Sequence, residues 1–301
     1  MKQLTLQTPA KINLTLDILR RREDGYHDLQ MVMQSISLCD RVTLQVGEEA
    51  GKLTIRLPGS DLPAGPDNIA WKAAEVFFRE TGITNPGMTV IIEKKIPAQA
   101  GMAGGSTDGA AVLRGLRLLF CPELPVQALE RMGEQVGSDV PFCVRGGTAL
   151  AEGRGERLTD LPALPDAAIV VCKPNFGLPT PALFRRVKTE QITHRADGGC
   201  AAVEQALQSG DLPAVAAGME NVFEQFLLPK ELTEIEGCKA VLRCCGALGA
   251  VMTGSGPTVF GIFRQEDDAC HEALCLLRQQ YPQTFLTHPL SKQEIFQPEE
   301  V

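Results

Sequence analysis

One stretch of the sequence governs the whole interpretation: Lys94-Lys95-Ile96-Pro97-Ala98-Gln99-Ala100-Gly101-Met102-Ala103-Gly104-Gly105-Ser106-Thr107-Asp108. It follows a segment with strand alternation, 87–93, and precedes one with helical spacing, from about 106 to about 120. Small residues let the backbone approach an anion, and a helix N-terminus offers free N–H groups and the positive end of a dipole. The stretch therefore predicts a phosphate-binding loop, with an ordinary glycine-rich turn as the alternative. It lacks the Gly-Lys-Ser/Thr of a Walker A loop and the context of a dinucleotide fingerprint.

Four residues of this loop carry specific expectations. Ser106 and Thr107 are suited to cap the helix, and their hydroxyls can reach a phosphate or Mg²⁺. We expect Ala103 to have a negative φ, because a left-handed alanine costs about 1–2 kcal/mol. Asp108 is expected in the first helical turn, where the helix dipole favours a carboxylate.

Composition limits the class of protein. With 301 residues, of which 44% are hydrophobic and 22% charged, the chain is expected to form about two ordinary globular domains. A net charge of −8 argues against nucleic acid or an anionic membrane as a partner. The chain has no apolar run near the roughly 18 residues of a membrane span, and no signal-peptide pattern at its start. We therefore expect a cytoplasmic protein, as a monomer or a homodimer.

Ten cysteines raise the question of disulfides or zinc. None forms a Cys-x-x-Cys pair, and most lie in apolar stretches such as Val170-Val171-Cys172. The sequence favours buried, reduced thiols that behave as small hydrophobic side chains.

The pattern of elements predicts an α+β protein in two lobes, residues 1–155 and 156–301. In the first lobe, strands are predicted at 4–8, 11–19, 31–38, 42–46, 53–57 and 87–93, and helices at 68–80 (ending at Gly82), 106–120 and 126–136. In the second lobe, strands are predicted at 168–173, 250–253, 258–263 and 284–288, and helices at 201–209, 212–223, 231–245 and 267–279.

Three further segments bear on chemistry. Pro9-Ala10-Lys11-Ile12-Asn13-Leu14 places a lysine and an asparagine on one face of a strand, which otherwise reads as a solvated face. Gly137-Ser138-Asp139-Val140-Pro141-Phe142 puts an aspartate before an apolar strand start, either as a turn former or as a site carboxylate. Thr253-Gly254-Ser255-Gly256-Pro257-Thr258, the glycine turn, lies between two predicted strands and could be a simple hairpin.

Together with the phosphate loop, these segments resemble the family of kinases for galactose, homoserine, mevalonate and phosphomevalonate. The family has a Pro-x-Lys-x-Asn segment, a glycine-serine loop and a C-terminal glycine turn in this order, and the resemblance spans residues 9 to about 263. It implies a two-lobed α+β kinase fold and ATP as phosphoryl donor. Four more segments look like those of one member, which acts on methylerythritol linked to cytidine diphosphate: 22–30, 140–147, 151–156 and 178–184.

Tyr26 and His27, within 22–30, also suit a pyrimidine on chemical grounds. An aromatic face stacks on a base, while an imidazole can donate and accept along the base edge. Without the surrounding match, a core tyrosine and a surface histidine would be the default interpretation.

The resemblance implies a role for each matching position. Asp139 would accept the hydroxyl proton, Lys11 would stabilise the developing charge, and Asn13 would hold the polyol or diphosphate. The ATP-binding residues would be Pro97, Gly101, Met102, Ala103, Gly104, Gly105, Ser106 and Thr107, with Mg²⁺ near Ser106 and with Lys94 and Asn68 as weaker candidates. Tyr26, His27, Phe184 and Thr180 would form the cytidine pocket.

Three other functions compete with this hypothesis. A sibling kinase for homoserine or mevalonate would share the general motifs but would have no need of the Asp-Gly-Tyr-His block at 24–27. A catalytically silent nucleotide-binding module would be expected to lose Lys11 or Asp139, and both are present. A nucleotide-dependent oxidoreductase would need a dinucleotide fingerprint.

Overall fold

Two β-sheets organise the protein, seen here in a computed structural model that describes residues 2–265 and 268–296. The larger sheet is built on two long strands, β1 (Gln3–Arg21) and β2 (His27–Val46), which form an antiparallel hairpin. β3 (Leu53–Arg56) and β4 (Met88–Glu93) extend it beyond β2. The strand order within this part of the sheet is β3-β4-β2-β1, with neighbours hydrogen-bonded to each other.

The long hairpin replaces two pairs of shorter predicted strands. Sequence patterns break at Pro9, and we predicted separate strands on either side of it. In the structure β1 continues through Pro9, and its register with β2 shifts between Pro9 and Ala10. A local irregularity of this kind accommodates a proline without ending the strand.

Four helices cover this part of the chain: α1 (Ile69–Thr81), α2 (Gly104–Phe120), α3 (Val126–Val136) and α4 (Val140–Arg145). Asn68 caps α1 by accepting a hydrogen bond from the Ala70 amide at 2.8 Å, and Gly82 ends the helix with a left-handed backbone, as predicted. α2 begins two residues before its predicted start. The strand expected after Asp139 is wrong, because that apolar run folds as α4 with Pro141 in its first turn, where a missing N–H costs nothing.

A second hairpin was not predicted. β5 (Thr148–Gly153) pairs with β2 and with β6 (Arg157–Asp160). Because this hairpin spans residues 155 and 156, the predicted lobe boundary would cut it. We therefore propose that the division between the lobes lies after Asp160.

The second sheet has the order β11-β7-β10-β9. Its strands are β7 (Ala167–Cys172), β9 (Gly249–Met252), β10 (Val259–Arg264) and β11 (Thr284–Thr287). Around them lie α5 (Thr180–Phe184), α6 (Cys200–Ser209), α7 (Leu212–Gly218), α8 (Pro229–Cys244) and α9 (Ala269–Gln280). The predicted first residue of the last helix, Asp267, lies outside the described residues.

The helix predicted over 212–223 is wrong in its second half. α7 ends at Gly218, and the chain enters a two-residue strand, β8 (Glu220–Asn221), that runs parallel to β1 and extends the first sheet. A 3₁₀ turn, Val222–Phe226, follows. The predicted α+β class is confirmed.

The cysteines are free thiols, as predicted, and six of the ten are buried. Within residues 2–265 and 268–296, no helix combines the length and the apolar character needed to cross a membrane.

Candidate active site

A cavity of about 980 Å³ lies where the phosphate loop, the β1–β2 hairpin and the glycine turn meet. Lys11 and Asp139 line its centre. Loop residues 97–101 and 103–106 line one side, and Tyr26, His27, Thr180 and Phe184 line the other. The structure therefore gathers most of the predicted site residues around one continuous space.

The phosphate loop ends on the N-terminus of α2. Gly101, Gly104, Gly105 and Ser106 all face the cavity, and the first N–H groups of a helix have no partner within that helix. This arrangement can bind an anion with main-chain donors.

The expectation of a negative φ at Ala103 is wrong. Ala103 has φ 58° and ψ 29°, a left-handed conformation, and it stands at the N-cap of α2. Among the described residues no side chain caps this helix, so the expected capping by Ser106 or Thr107 is also wrong. The Thr107 amide instead donates to the Ala103 carbonyl at 2.9 Å. The surrounding contacts must supply the free energy of about 1–2 kcal/mol that a left-handed alanine costs.

Main chain meets main chain where the phosphate loop touches the glycine turn. A Cβ added to Gly101 would lie 2.2 Å from the Thr253 carbonyl oxygen, and one added to Gly254 would lie 2.6 Å from the Gly101 carbonyl oxygen. Both glycines also have positive φ, 71° and 56°. Only glycine satisfies both requirements, so the contact fixes both residue types.

Lys11 and Asp139 form the charged centre of the cavity. The Lys11 Nζ lies 3.9 Å from an Asp139 carboxylate oxygen and donates to the Asn13 Oδ1 at 2.6 Å. Lys11 is only 4% exposed, whereas the Asp139 side chain, at the start of α4, is 34% exposed. A fixed ammonium beside an accessible carboxylate can activate a hydroxyl and stabilise the charge that develops on it.

Asn13, which was predicted to contact substrate, is instead a support for Lys11. Its side chain is fully buried and lies beside Thr253, whose Oγ1 accepts a hydrogen bond from the main-chain N–H of Asn13 at 2.9 Å. In this structure Asn13 does not line the cavity. The i, i+2 geometry placed both residues on one strand face, but Lys11 lies between Asn13 and the open space.

Three of the predicted ATP-binding residues also point away from the cavity. The Thr107 hydroxyl is buried and donates to the Pro9 carbonyl at 2.7 Å, and Met102 is buried, with its carbonyl accepting from the Lys11 amide at 3.2 Å. Asn68 is occupied as the cap of α1. Thr107 and Met102 therefore anchor the loop to β1 through contacts that a short motif cannot reveal.

Lys94 lines the cavity but is only 12% exposed, because its Nζ lies between the side chains of two buried residues, Asp40 and Asp108. Its Nζ donates to Asp40 at 2.5 Å, to Asp108 at 2.6 Å and to the Gly104 carbonyl at 3.1 Å. An ammonium has three protons, so these three acceptors occupy all of them. Lys94 thus ties the end of β4 to the start of α2.

Asp108 lies in the second turn of α2, not in the first as expected. Its Oδ1 is buried, and no partner for it occurs among the described residues. Burial, and then the neighbouring Asp40 carboxylate, raise the pKa of Asp108 to about 8, although Lys94 acts in the opposite direction. Asp40 is the more fully bonded of the two side chains, because it also accepts from the Lys95 and Ile96 amides.

Aromatic rings form the other side of the cavity. His27 stacks on Phe184 with ring centroids 5.1 Å apart and planes at 25°, so a base cannot lie between them. Tyr26 is 55% exposed, and the Arg154 guanidinium lies 5.3 Å from its ring centroid. Burial, and then the charge of Arg21, lower the pKa of His27, which favours the neutral imidazole that both donates and accepts.

Several lining residues escaped the sequence analysis. The Ser255 hydroxyl of the glycine turn bonds the Thr180 hydroxyl at 2.7 Å, which connects the two motifs across the cavity. Arg21, Arg154 and Arg185 also line it. The Gly-Ser-Gly pattern signalled Ser255, and Arg154 lies in the matching segment 151–156, but nothing local distinguished Arg21 and Arg185 from arginines on a solvated surface.

Comparison with known families identifies the class of protein. Residues 68–147 match the GHMP kinases N terminal domain, and residues 203–282 match the GHMP kinases C terminal. A homoserine kinase from Cytophaga hutchinsonii has the same fold, with a TM-score of 0.76 over 100% of this chain and 98% of that chain, at 16% identity. The chain belongs to the GHMP kinase family, which confirms the predicted kinase class.

Relatives at higher identity share a more specific name. Proteins from Acetivibrio thermocellus and Geobacter sulfurreducens, both named 4-diphosphocytidyl-2-C-methyl-D-erythritol kinase, are 40% and 42% identical over 90% and 91% of this chain, covering 93% and 94% of their own lengths. A crystal structure of 4-(cytidine 5′-diphospho)-2C-methyl-D-erythritol kinase is 32% identical, with a TM-score of 0.75 over 95% of this chain and 99% of that chain.

Proposed function

We propose that this chain transfers the γ-phosphoryl group of ATP to the 2-hydroxyl of 4-diphosphocytidyl-2-C-methyl-D-erythritol, as a cytoplasmic enzyme of the non-mevalonate route to isoprenoid precursors. The observation that carries the proposal is the cavity itself. One continuous cavity is lined by an anion-binding helix terminus, by the Lys11–Asp139 pair and by an aromatic, histidine-containing group. The names and extents of the 40–42% identical relatives support the same substrate.

On the phosphate side, the loop residues Gly101, Gly104, Gly105 and Ser106 would surround the ATP phosphates. The chemistry of this donor set fits a triphosphate, because main-chain N–H groups and a hydroxyl can all donate hydrogen bonds to phosphate oxygens. Mg²⁺ would be held by the triphosphate together with the Ser106 hydroxyl, and when bound it would neutralise phosphate charge. Lys94, with its protons shared among Asp40, Asp108 and Gly104, would support this loop rather than reach for phosphate.

In the centre, Asp139 would accept the proton of the attacking hydroxyl. Its exposed carboxylate faces the cavity, which a base must do to reach substrate. Lys11, whose Nζ is fixed by Asn13 and lies 3.9 Å from the Asp139 carboxylate, would stabilise the alkoxide and the moving phosphoryl group. Phosphoryl transfer needs little covalent chemistry from the protein, so positioning and charge are the main contributions.

On the nucleoside side, Tyr26 offers the free aromatic face on which a cytosine would stack. His27, held by its stack on Phe184, would present one ring nitrogen as donor and the other as acceptor to the base edge. Thr180, bonded to Ser255, would sit between this pocket and the glycine turn.

The deciding experiment couples ADP release to a panel of acceptors: 4-diphosphocytidyl-2-C-methyl-D-erythritol, mevalonate and homoserine, each with Mg-ATP. We expect turnover with the first alone. Turnover only with mevalonate or homoserine would refute the substrate while leaving the kinase class intact. If no acceptor on the panel leads to ADP release while ATP binding is retained, the result would favour a catalytically silent nucleotide-binding module.

A further inference from the structure

Asn221 lies outside the cavity, yet its side chain hydrogen-bonds to main-chain groups at two different parts of the cavity wall, the glycine turn and the segment that carries Phe223. It is the second residue of β8, pairs with Leu16 of β1, and is only 4% exposed. Its Nδ2 donates to the Met252 carbonyl at 2.7 Å and to the Gly254 carbonyl at 2.9 Å. Its Oδ1 accepts from the Phe223 amide at 3.0 Å.

The two donated bonds hold the glycine turn from behind. Met252 ends β9 just before the glycine turn and Gly254 is the second residue of that turn, so one amide group fixes the backbone on both sides of Thr253. Thr253 in turn supports Asn13, and Gly254 contacts Gly101 of the phosphate loop. A displacement of the turn would therefore be felt by both Lys11 and the phosphate loop.

The hydrogen bond that Asn221 accepts from the Phe223 amide holds the aromatic side of the cavity. Phe223 is buried, and its ring meets Phe184 edge to face at 4.9 Å, with the planes at 90°. Phe184 also stacks on His27. The position of Phe223 thus sets where Phe184, and with it His27, stands in the cavity.

The side chain of asparagine suits this place for a chemical reason. The site requires two donors aimed at carbonyls and one acceptor aimed at an amide, all from one short side chain. Aspartate offers no donor when ionised, and serine offers only one. The match between the three bonds and the three groups is therefore specific to the amide.

We propose that Asn221 is a positioning residue that fixes the glycine turn and the aromatic stack relative to each other, and so aligns the donor and acceptor halves of the cavity. The names of the two halves rest on the proposed function, but the alignment itself does not.

The test is Asn221→Asp, which keeps the shape of the side chain but places oxygen opposite two carbonyl oxygens. At pH 8 we expect kcat/KM to fall about 10²-fold, as for a misplacement of about 1 Å, with the KM values for ATP and for the cytidine substrate both raised. As pH falls toward 5.5, the ratio of variant to wild-type kcat/KM should rise, because a protonated carboxyl group can again donate to one carbonyl. The matched control is Asn85→Asp, at a half-buried loop residue whose side chain donates to the Lys52 carbonyl at 3.4 Å and accepts from the Gly87 amide at 2.9 Å, and its ratio should stay flat.

A ratio for Asn221→Asp that does not change with pH, or a change in KM for one substrate alone, would overturn the proposal. If this variant does not fold, Asn221→Ser replaces it: the single hydroxyl should again raise both KM values, and unchanged values would overturn the proposal.

A second measurement separates this inference from the proposed function. Hydrogen exchange should be faster in the variant than in wild type over both 252–257 and 180–187, whether or not the wild type phosphorylates the cytidine substrate. Faster exchange in only one segment, or in neither, would contradict the inference, whereas an inactive wild type would contradict only the proposed function.

Discussion

Replacing Gly101 by alanine tests whether the main-chain contact between the phosphate loop and the glycine turn is too rigid to admit a side chain. The added Cβ would stand 2.2 Å from the Thr253 carbonyl oxygen, about 1.2 Å short of ordinary contact at 3.4 Å. The amide nitrogen of Gly256 would lie 3.0 Å from it as well. Neither neighbour is a flexible side chain, so relief requires movement of main chain.

The expected magnitude has two parts. The backbone term is about 1–2 kcal/mol, since φ is 71° at this position and alanine disfavours it. Overpacking against fixed neighbours adds about 1–3 kcal/mol. We therefore expect Gly101→Ala to lower the free energy of unfolding by about 2–5 kcal/mol. If the loop instead shifts by about 1 Å to make room, kcat/KM should fall about 10²-fold.

Gly59→Ala is the matched control. Gly59 has φ 70°, nearly the same backbone, but an added Cβ meets no atom within 4 Å in the part of the chain that the structure describes. It should lose only the backbone term, with kcat/KM unchanged. Urea unfolding gives the free energies, and ADP release with the cytidine substrate gives the rates. A Gly101→Ala protein that matches Gly59→Ala in both measurements would refute the idea of a rigid contact.

Three further predictions concern single groups in and beneath the cavity. Asp139→Asn should lower kcat by about 10²-fold or more while ATP affinity, measured by calorimetry, changes little; a near-wild-type rate would remove Asp139 as the base. His27→Ala should raise KM for the cytidine substrate and leave KM for ATP unchanged, and the opposite result in steady-state kinetics would reverse the pocket assignment. The pKa of Asp108, about 8 when folded against about 3.9 when unfolded, means that its contribution to stability is full below pH 4 and is lost as pH rises toward 8. In urea melts across that range, Asp108→Asn should therefore gain stability relative to wild type as pH rises, and parallel pH curves would contradict a buried protonated carboxyl group.

Local pattern was enough to predict most elements and the class of enzyme. The alternation of β1 and β2, the helical spacing after the phosphate loop and the end of α1 at Gly82 all depend on neighbours in sequence, and the structure bears them out. The family followed from the order of three motifs, because that order constrains the chain more strongly than any single motif.

What could not be predicted depends on partners distant in sequence. Asp40 looks like any polar residue of a strand, and its role emerges only where Lys94 and the main chain at 95–96 come to it. The left-handed Ala103 defies a local preference of about 1–2 kcal/mol, which tertiary contacts outweigh. Asn13 was placed on the correct face, but its depth behind Lys11 depends on Thr253, 240 residues away.

The contact of Gly101 with Gly254 also bears on how an inhibitor of this enzyme would fare under selection. Both glycines line the cavity, and each packs closely against a main-chain carbonyl of the other segment. A compound that hydrogen-bonds to main-chain atoms at this contact would bind atoms that remain present after any substitution. Resistance by enlarging either residue would first displace the enzyme's own backbone, so escape at these two positions would come at the cost of the activity it is meant to preserve.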